Sequence, residues 1–160
     1  MITKRDEAEV SNLLKKELRL LANAVGKDFE IAVSDVPVSE DVAFTTFNGR
    51  TITIHINASH ELIIDASNDK FYRYRMEKAI LQHQVAHIWF ETGKAMESVP
   101  KLQRMFPDIK DYVQDVVNLI EDYRVDSIWQ ALLPGSKKNF MLVYNSIIDH
   151  TSGKIYKPDF

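Results

Sequence analysis

The chain of 160 residues contains no cysteine, which excludes a disulfide framework and any thiolate metal site. If a metal binds, its ligands must then be histidine and carboxylate side chains. The sequence also has no apolar run near the roughly 18 residues of a membrane span. Residues 1–7 are mostly charged or polar and lack the apolar region of a signal peptide. We therefore expect a cytoplasmic protein without a membrane-spanning helix.

A strong charge of either sign is also missing. The 20 basic and 23 acidic residues leave a net charge of −3, and there is no long basic run. This balance gives no reason to expect nucleic acid or an anionic membrane as a partner. Internal repeats, low-complexity tracts and interdomain linkers are absent from the sequence, and the length suits one ordinary domain. We predict a single domain over residues 1–160.

Hydrophobic periodicity predicts an N-terminal helix followed by a small sheet. Apolar residues recur at helical spacing from Val10 to Val25, with Thr3 as a plausible N-cap and Gly26 as a stop. Strand patterns follow over residues 29–33, 43–47 and 50–57. The Asn48-Gly49 pair between the last two predicts a hairpin with a type I′ turn. We expect a mostly antiparallel sheet, then a loop or short helix over residues 59–65.

The second half of the chain has a helical pattern. One helix is predicted from about Asp69 to Gly93, and a longer one from an N-cap at Asp108 to a stop at Pro134-Gly135. A final helix over residues 139–148 and an extended tail over 151–160 complete the prediction. The apolar positions of the long helix are Tyr112, Val116, Leu119, Tyr123 and Ile128.

The motif with the most chemical content is His83-Gln84-Val85-Ala86-His87. On a helix, side chains four residues apart share a face, so His83 and His87 can offer two imidazole nitrogens to one ion. A zinc site of this kind needs a third protein ligand and an open position. Glu121 in the long helix is our predicted third ligand. Asp122 points about 100° away from it and is predicted to support a ligand, with the ligand role as the alternative.

These features resemble a known family. A strand hairpin, an HExxH helix and a later helix with glutamate resemble the gluzincin branch of zinc metallopeptidases. The cluster of Asn118, Glu121, Asp122, Arg124 and Asp126 is similar to metallopeptidase domains associated with von Willebrand A modules, in cobaltochelatase-subunit-like and phage-related proteins. The resemblance covers roughly residues 43–135. It implies a compact α+β zincin-like fold, Zn²⁺ bound by His83, His87 and Glu121, and a peptide or protein substrate.

The departure from this family is Gln84, which stands where HExxH enzymes have their catalytic glutamate. In those enzymes the glutamate takes a proton from the attacking water, and an amide has no basic lone pair at neutral pH. We therefore expect a zinc-dependent endopeptidase-like domain that is inactive as written. Two explanations stay open: an engineered inactivation of a working peptidase, or a natural pseudo-peptidase that binds a peptide or protein.

Two further expectations concern substrate and context. The third strand carries His55 and Asn57, and the resemblance implies that this strand is the sheet edge that holds substrate by backbone pairing. The resembling domains often continue into other modules, so this chain is interpretable as a piece of a longer protein. A metal-free helical protein with coincidental histidines is the remaining alternative.

Overall fold

The structure, a computed structural model, describes residues 3–25, 29–34, 41–48, 51–57, 60–65 and 69–155. This part combines helices with one small sheet, so the predicted α+β class is confirmed. In chain order its elements are α1 (Lys4–Val25), β1 (Phe29–Ser34), β2 (Ala43–Phe47), β3 (Ile52–Asn57), α2 (Glu61–Asp65), α3 (Lys70–Trp89), α4 (Thr92–Met96), α5 (Val99–Met105), a 3-10 turn (Pro107–Ile109), α6 (Lys110–Leu132), a second 3-10 turn (Pro134–Ser136) and α7 (Lys137–Ile155).

The chain forms two compact units. Unit 1 consists of residues 1–82 and 136–160, and it contains the sheet, α1, α2, α7 and most of α3. Unit 2 consists of residues 83–135, and it contains the last turns of α3 together with α4, α5 and α6. The predicted single domain over residues 1–160 stays a prediction, because its test is whether both units unfold together.

Helix α1 begins where the sequence predicts. The Thr3 hydroxyl accepts a hydrogen bond from the backbone N–H of Asp6, whose carboxylate in turn accepts from the backbone N–H of Thr3 at 2.9 Å. This reciprocal pair satisfies N–H groups that the first turn of a helix leaves without partners. The side chains of Val10, Leu14 and Leu18 are buried at helical spacing. The predicted stop at Gly26 lies outside the described residues.

The sheet is mixed, with strand order β1-β3-β2. β2 pairs with β3 antiparallel as the predicted hairpin, whereas β1 pairs with β3 in parallel. The turn at Gly49 lies outside the described residues. The prediction that β3 is the substrate-holding edge is wrong, because β1 and β2 already occupy both of its hydrogen-bonding sides. The prediction of a mostly antiparallel sheet is also corrected, because one of the two strand pairs is parallel.

The core of unit 1 lies between the sheet and its helices. Ala43, Ile63, Met76 and Ile80 form a buried cluster, and side chains of α7 pack against it. Ile54 and Ile56 on β3 are fully buried, as expected for alternate residues facing a core. The predicted loop or short helix before α3 is the short helix α2.

Helix α3 carries both motif histidines. It is capped by Asp69, whose carboxylate oxygen accepts hydrogen bonds from the backbone N–H groups of Phe71 and Tyr72 at 2.7 and 3.0 Å. It ends at Trp89, so the predicted continuation to Gly93 is wrong. The chain leaves the helix because Glu91 adopts a left-handed conformation, with φ 55° and ψ 43°.

Helix α6 buries a different face from the one that its apolar residues suggest. Leu119 and Tyr123 are 70% and 78% exposed, and Tyr112 and Val116 are also exposed. The buried face includes Val113, Glu121, Val125, Asp126 and Trp129. The predicted N-cap at Asp108 is also wrong, because Asp108 lies in the 3-10 turn and α6 starts at Lys110. The predicted stop at Pro134-Gly135 is confirmed.

Helix α7 is longer than predicted, since it runs from Lys137 to Ile155. Residues 151–155 are helical, which corrects the predicted extended tail there, and residues 156–160 lie outside the described part. Across the described residues, every helix is too short or too polar to cross a membrane.

Candidate metal centre

The last turns of α3 bring the two motif histidines into contact. The Nε2 atoms of His83 and His87 lie 3.0 Å apart, and the two rings meet edge to face. The spacing of four residues produces this arrangement, because i and i+4 side chains stack on one helix face. Val85 and Ala86, which lie between the histidines in the sequence, are fully buried.

Helix α6 supplies a carboxylate to the same point. The Oδ1 atom of Asp122 lies 3.1 Å from Nε2 of His87 and 3.8 Å from Nε2 of His83. We call these three residues the histidine–aspartate cluster. Within the described part of the chain, they are the histidine and acidic side chains that bring three possible metal-ligand atoms within 4.8 Å of one another. The cluster is half-exposed on its aspartate side, since the Asp122 side chain is 48% exposed.

The geometry of the cluster fits a zinc ion. Zinc–ligand bonds of about 2.0–2.1 Å in a tetrahedral site place ligand atoms about 3.3 Å from one another. The three observed separations of 3.0, 3.1 and 3.8 Å bracket this value. Two imidazoles and a carboxylate are also a ligand set that zinc accepts, with room for a fourth ligand.

Each histidine uses its second ring nitrogen to contact an oxygen. His83 Nδ1 lies 2.8 Å from Oδ1 of Asp126, which is buried and lies one turn after Asp122 on α6. A carboxylate accepts hydrogen bonds only, so His83 donates from Nδ1 and its neutral form keeps the lone pair on Nε2. His87 Nδ1 lies 2.9 Å from the hydroxyl of Thr92. Metal-binding histidines commonly have such partners.

Glu121, the predicted third ligand, has different contacts. Its Oε2 atom accepts a hydrogen bond from Nη2 of Arg124 at 2.7 Å and another from the Thr92 hydroxyl at 3.2 Å. Nε of Arg124 lies 3.0 Å from the other oxygen of the carboxylate. The residue is only 7% exposed. The structure therefore groups Asp122 with the histidines and places Glu121 in an ion pair beside them.

Both carboxylates are held in their ionised form. Hydrogen bonds from Arg124 lower the pKa of Glu121, and this effect exceeds the opposing effect of desolvation. Partial burial alone would raise the pKa of Asp122, but the hydrogen bond with His87 and the electrostatic interactions with His83 and His87 outweigh it. The pKa of Asp122 therefore also lies below its ordinary value. Because Arg124 offsets the charge of Glu121, the ionised Asp122 carboxylate is the group that would attract a cation to the two imidazoles.

Gln84 lies on α3 next to His83 and three residues before His87, and its side chain is half-buried. Its position on the helix is the one that the motif assigns to the general base. An amide there can donate and accept hydrogen bonds, but it has no basic lone pair at neutral pH.

The sequence prediction found both histidines but missed part of their surroundings. Asp122 and Asp126 are four residues apart, which is the spacing of His83 and His87, and this repeat was a usable signal for the ligand face of α6. Thr92 had no such signal, because a threonine after a helix is an ordinary residue. Arg124, which the resemblance groups with Glu121, contacts its carboxylate.

Comparison with protein-family models, with curated proteins and with solved structures finds no match to this chain.

Proposed function

We propose that the histidine–aspartate cluster is the zinc site of a metallopeptidase-like domain. The observation that supports this most is the convergence of two imidazole Nε2 atoms and one carboxylate oxygen, 3.0 to 3.8 Å apart, on the HxxxH motif. His83, His87 and Asp122 would hold the ion, with Asp122 in place of the predicted Glu121. The resemblance to gluzincins supports zinc over other metals.

When bound there, zinc supplies a Lewis acid toward water and toward the carbonyl oxygen of a peptide. Whether hydrolysis occurs then depends on the residue at position 84. A glutamate there would accept a proton from the attacking water and pass it to the leaving nitrogen. Gln84 can orient that water by hydrogen bonding, but it cannot take the proton. The chain as written would therefore bind metal and peptide and cleave poorly.

The second candidate function is a zinc-stabilised binding module without catalysis, which Gln84 itself favours. In that case a cleft would hold a peptide or protein partner, and the ion would hold α3 and α6 together within unit 2. Both candidates bind the metal. They differ in whether the domain is a peptidase that has lost its general base at position 84 or a binding module that never cleaves peptides.

Zinc content tests the part that both candidates share. We expect one zinc per chain after purification with zinc present, measured by elemental analysis. His83→Ala and His87→Ala should each remove it, because a site with two remaining ligands binds weakly. His60→Ala is the control, since His60 lies just before α2 in unit 1 and its loss should leave the zinc content unchanged. Protein without stoichiometric zinc would contradict the proposal.

The Gln84→Glu variant separates the two candidates. It changes one side-chain group, so fold and zinc content should stay the same while peptide hydrolysis rises by roughly 10²–10⁴-fold. Hydrolysis is measured on a broad peptide library, and chelation should abolish it until zinc is added. Gln84→Ala is the matched control, because it alters the same position without supplying a base. A fully zinc-loaded Gln84→Glu protein that cleaves nothing would favour the binding module.

A further inference from the structure

Helix α6 exposes a regular row of large apolar side chains. The row consists of Tyr112, Val116, Leu119 and Tyr123, which are 48 to 78% exposed, and we call it the α6 stripe. Spacings of four, three and four residues place its members on one face of the helix. Ile120, which is also exposed, borders that face. Single exposed apolar residues are ordinary, but a continuous row of them marks a surface that binds another molecule.

The spacing of the α6 stripe favours a helical partner. Alternating steps of three and four residues form the a/d pattern along which one helix packs against another. The stripe spans residues 112–123, or about 17 Å along the helix axis, which is roughly three helical turns. Tyrosines stand at both of its ends, and tyrosine is among the residues that contribute most to binding at protein interfaces.

One flank of the α6 stripe is acidic. Asp111, Asp115 and Asp122 follow one another at spacings of four and seven residues, so they lie on the same side of the stripe. Asp111 and Asp115 are exposed, and within the described part of the chain neither forms an ion pair. Residues 106–123 contain five acidic residues and one basic residue, Lys110, which points about 100° from Asp111 and away from the stripe. The two exposed carboxylates are therefore open to a basic partner.

We propose that the α6 stripe is a docking surface for an amphipathic helix of another protein, whose apolar face is flanked by lysine or arginine. The apolar residues of the partner pack between those of the stripe, and its basic residues pair with Asp111 and Asp115. The four stripe residues and these two aspartates are separate from the histidine–aspartate cluster. The proposal therefore holds whether or not that cluster binds zinc.

Charge distinguishes this partner from other occupants. In an antiparallel pair of two copies, equivalent flanks face each other, so Asp115 would approach aspartates of the second copy. In a parallel pair it would face the flank of Ile120, whose side chain cannot neutralise it. Anionic lipid and nucleic acid would be repelled by the same carboxylates. A basic amphipathic helix is the occupant that matches both the apolar row and its acidic flank.

Two designed peptides test the proposal on the full chain. Both are helices of about three heptads with leucine at the a and d positions, and they carry either lysine or glutamate at every flanking e and g position. Like charges on these flanks keep each peptide from pairing with itself. Fluorescence anisotropy of the labelled peptides measures binding. We expect the lysine peptide to bind at least about 10-fold more tightly than the glutamate peptide, and added salt to reduce the difference by screening the exposed charges.

Substitutions identify the surface that binds. Leu119→Gln should weaken binding of the lysine peptide by about 10-fold or more, because it removes a central apolar contact, and Tyr123→Gln is the second variant if the first does not fold. Asp111→Asn combined with Asp115→Asn should abolish the preference for the lysine peptide. Leu20→Gln is the matched control, since Leu20 is a similarly exposed leucine on α1 in unit 1, and it should leave binding unchanged. Circular dichroism checks that each variant is folded.

Several outcomes would overturn the proposal. Equal binding of the two peptides, or binding of neither at micromolar concentration, would remove the basic helix as the occupant. Equal effects of Leu119→Gln and Leu20→Gln would place the binding surface elsewhere. A parent protein that sediments as a dimer while Leu119→Gln sediments as a monomer would assign the stripe to a second copy. Phosphatidylcholine vesicles that retain the parent protein but release Leu119→Gln would assign it to a membrane.

Discussion

At the scale of single residues, the main result is that two neighbouring carboxylates on α6 have different surroundings. Asp122 is about half-exposed and points its Oδ1 atom at both histidines, while Glu121 is buried and paired with Arg124. The Glu121 oxygens accept hydrogen bonds from Arg124 and Thr92, whereas Oδ1 of Asp122 lies within 3.8 Å of both Nε2 atoms. Successive residues on a helix point about 100° apart, so Asp122 can face the two histidines while Glu121 faces Arg124.

This difference predicts a ranking of zinc affinities. Asp122→Ala should weaken zinc binding by more than about 100-fold, because it removes a ligand, whereas Glu121→Ala should cost about 10–100-fold, because it removes a carboxylate that contacts Thr92, the hydrogen-bond partner of His87. Competition with a chelator measures both. Asp115→Ala, an exposed acidic residue two turns earlier on α6, controls for loss of negative charge alone. A larger effect at Glu121 than at Asp122 would restore the ligand predicted from sequence.

At the scale of elements, α6 shows why an apolar pattern does not by itself identify a buried face. The helix has apolar side chains on two faces, and the stripe of Tyr112, Val116, Leu119 and Tyr123 is the more regular of them. The structure nevertheless buries the face with Val125, Asp126 and Trp129. Trp129 packs edge to face with Trp89 and Phe90, at centroid distances of 5.7 and 6.5 Å. This aromatic contact joins the end of α3 to α6 within unit 2.

The orientation of α6 predicts opposite responses at two positions. Leu119→Gln should change the free energy of unfolding by no more than about 0.5 kcal/mol, because the side chain is 70% exposed. Val125→Ala should cost about 2 kcal/mol, because it leaves a cavity at a fully buried site. Urea unfolding of both variants measures the two changes. If Leu119→Gln proves the more damaging substitution, the apolar stripe is the packed face and the described orientation of α6 is incorrect.

At the scale of the whole molecule, unit 2 is an insertion in the sequence of unit 1, and α3 runs through residues of both. A helix shared by two units favours joint unfolding, because half of it cannot easily melt alone. Both tryptophans of the chain, Trp89 and Trp129, belong to unit 2. Tryptophan fluorescence therefore reports on unit 2, while far-ultraviolet circular dichroism reports on every helix.

If residues 1–160 form the single predicted domain, thermal transitions followed by these two signals should coincide. Added zinc should raise both midpoints together, since a ligand that binds only the folded state stabilises it by mass action. His87→Ala is the control in which zinc should have no effect. A fluorescence midpoint that separates from the dichroism midpoint, or that alone responds to zinc, would show that the two units unfold independently.

The sequence by itself determined the features that depend on local spacing. Thr3 and Asp6 are three residues apart and form the predicted cap, Asn48-Gly49 separates the two strands of the predicted hairpin, and His83 and His87 share a face because a helix has 3.6 residues per turn. Tertiary structure decided which parts of the chain meet. It placed β1 beside β3, turned α6 so that Asp122 and not Glu121 faces the histidines, and brought Thr92 to His87. These choices depend on packing between distant segments, which periodicity along one segment does not encode.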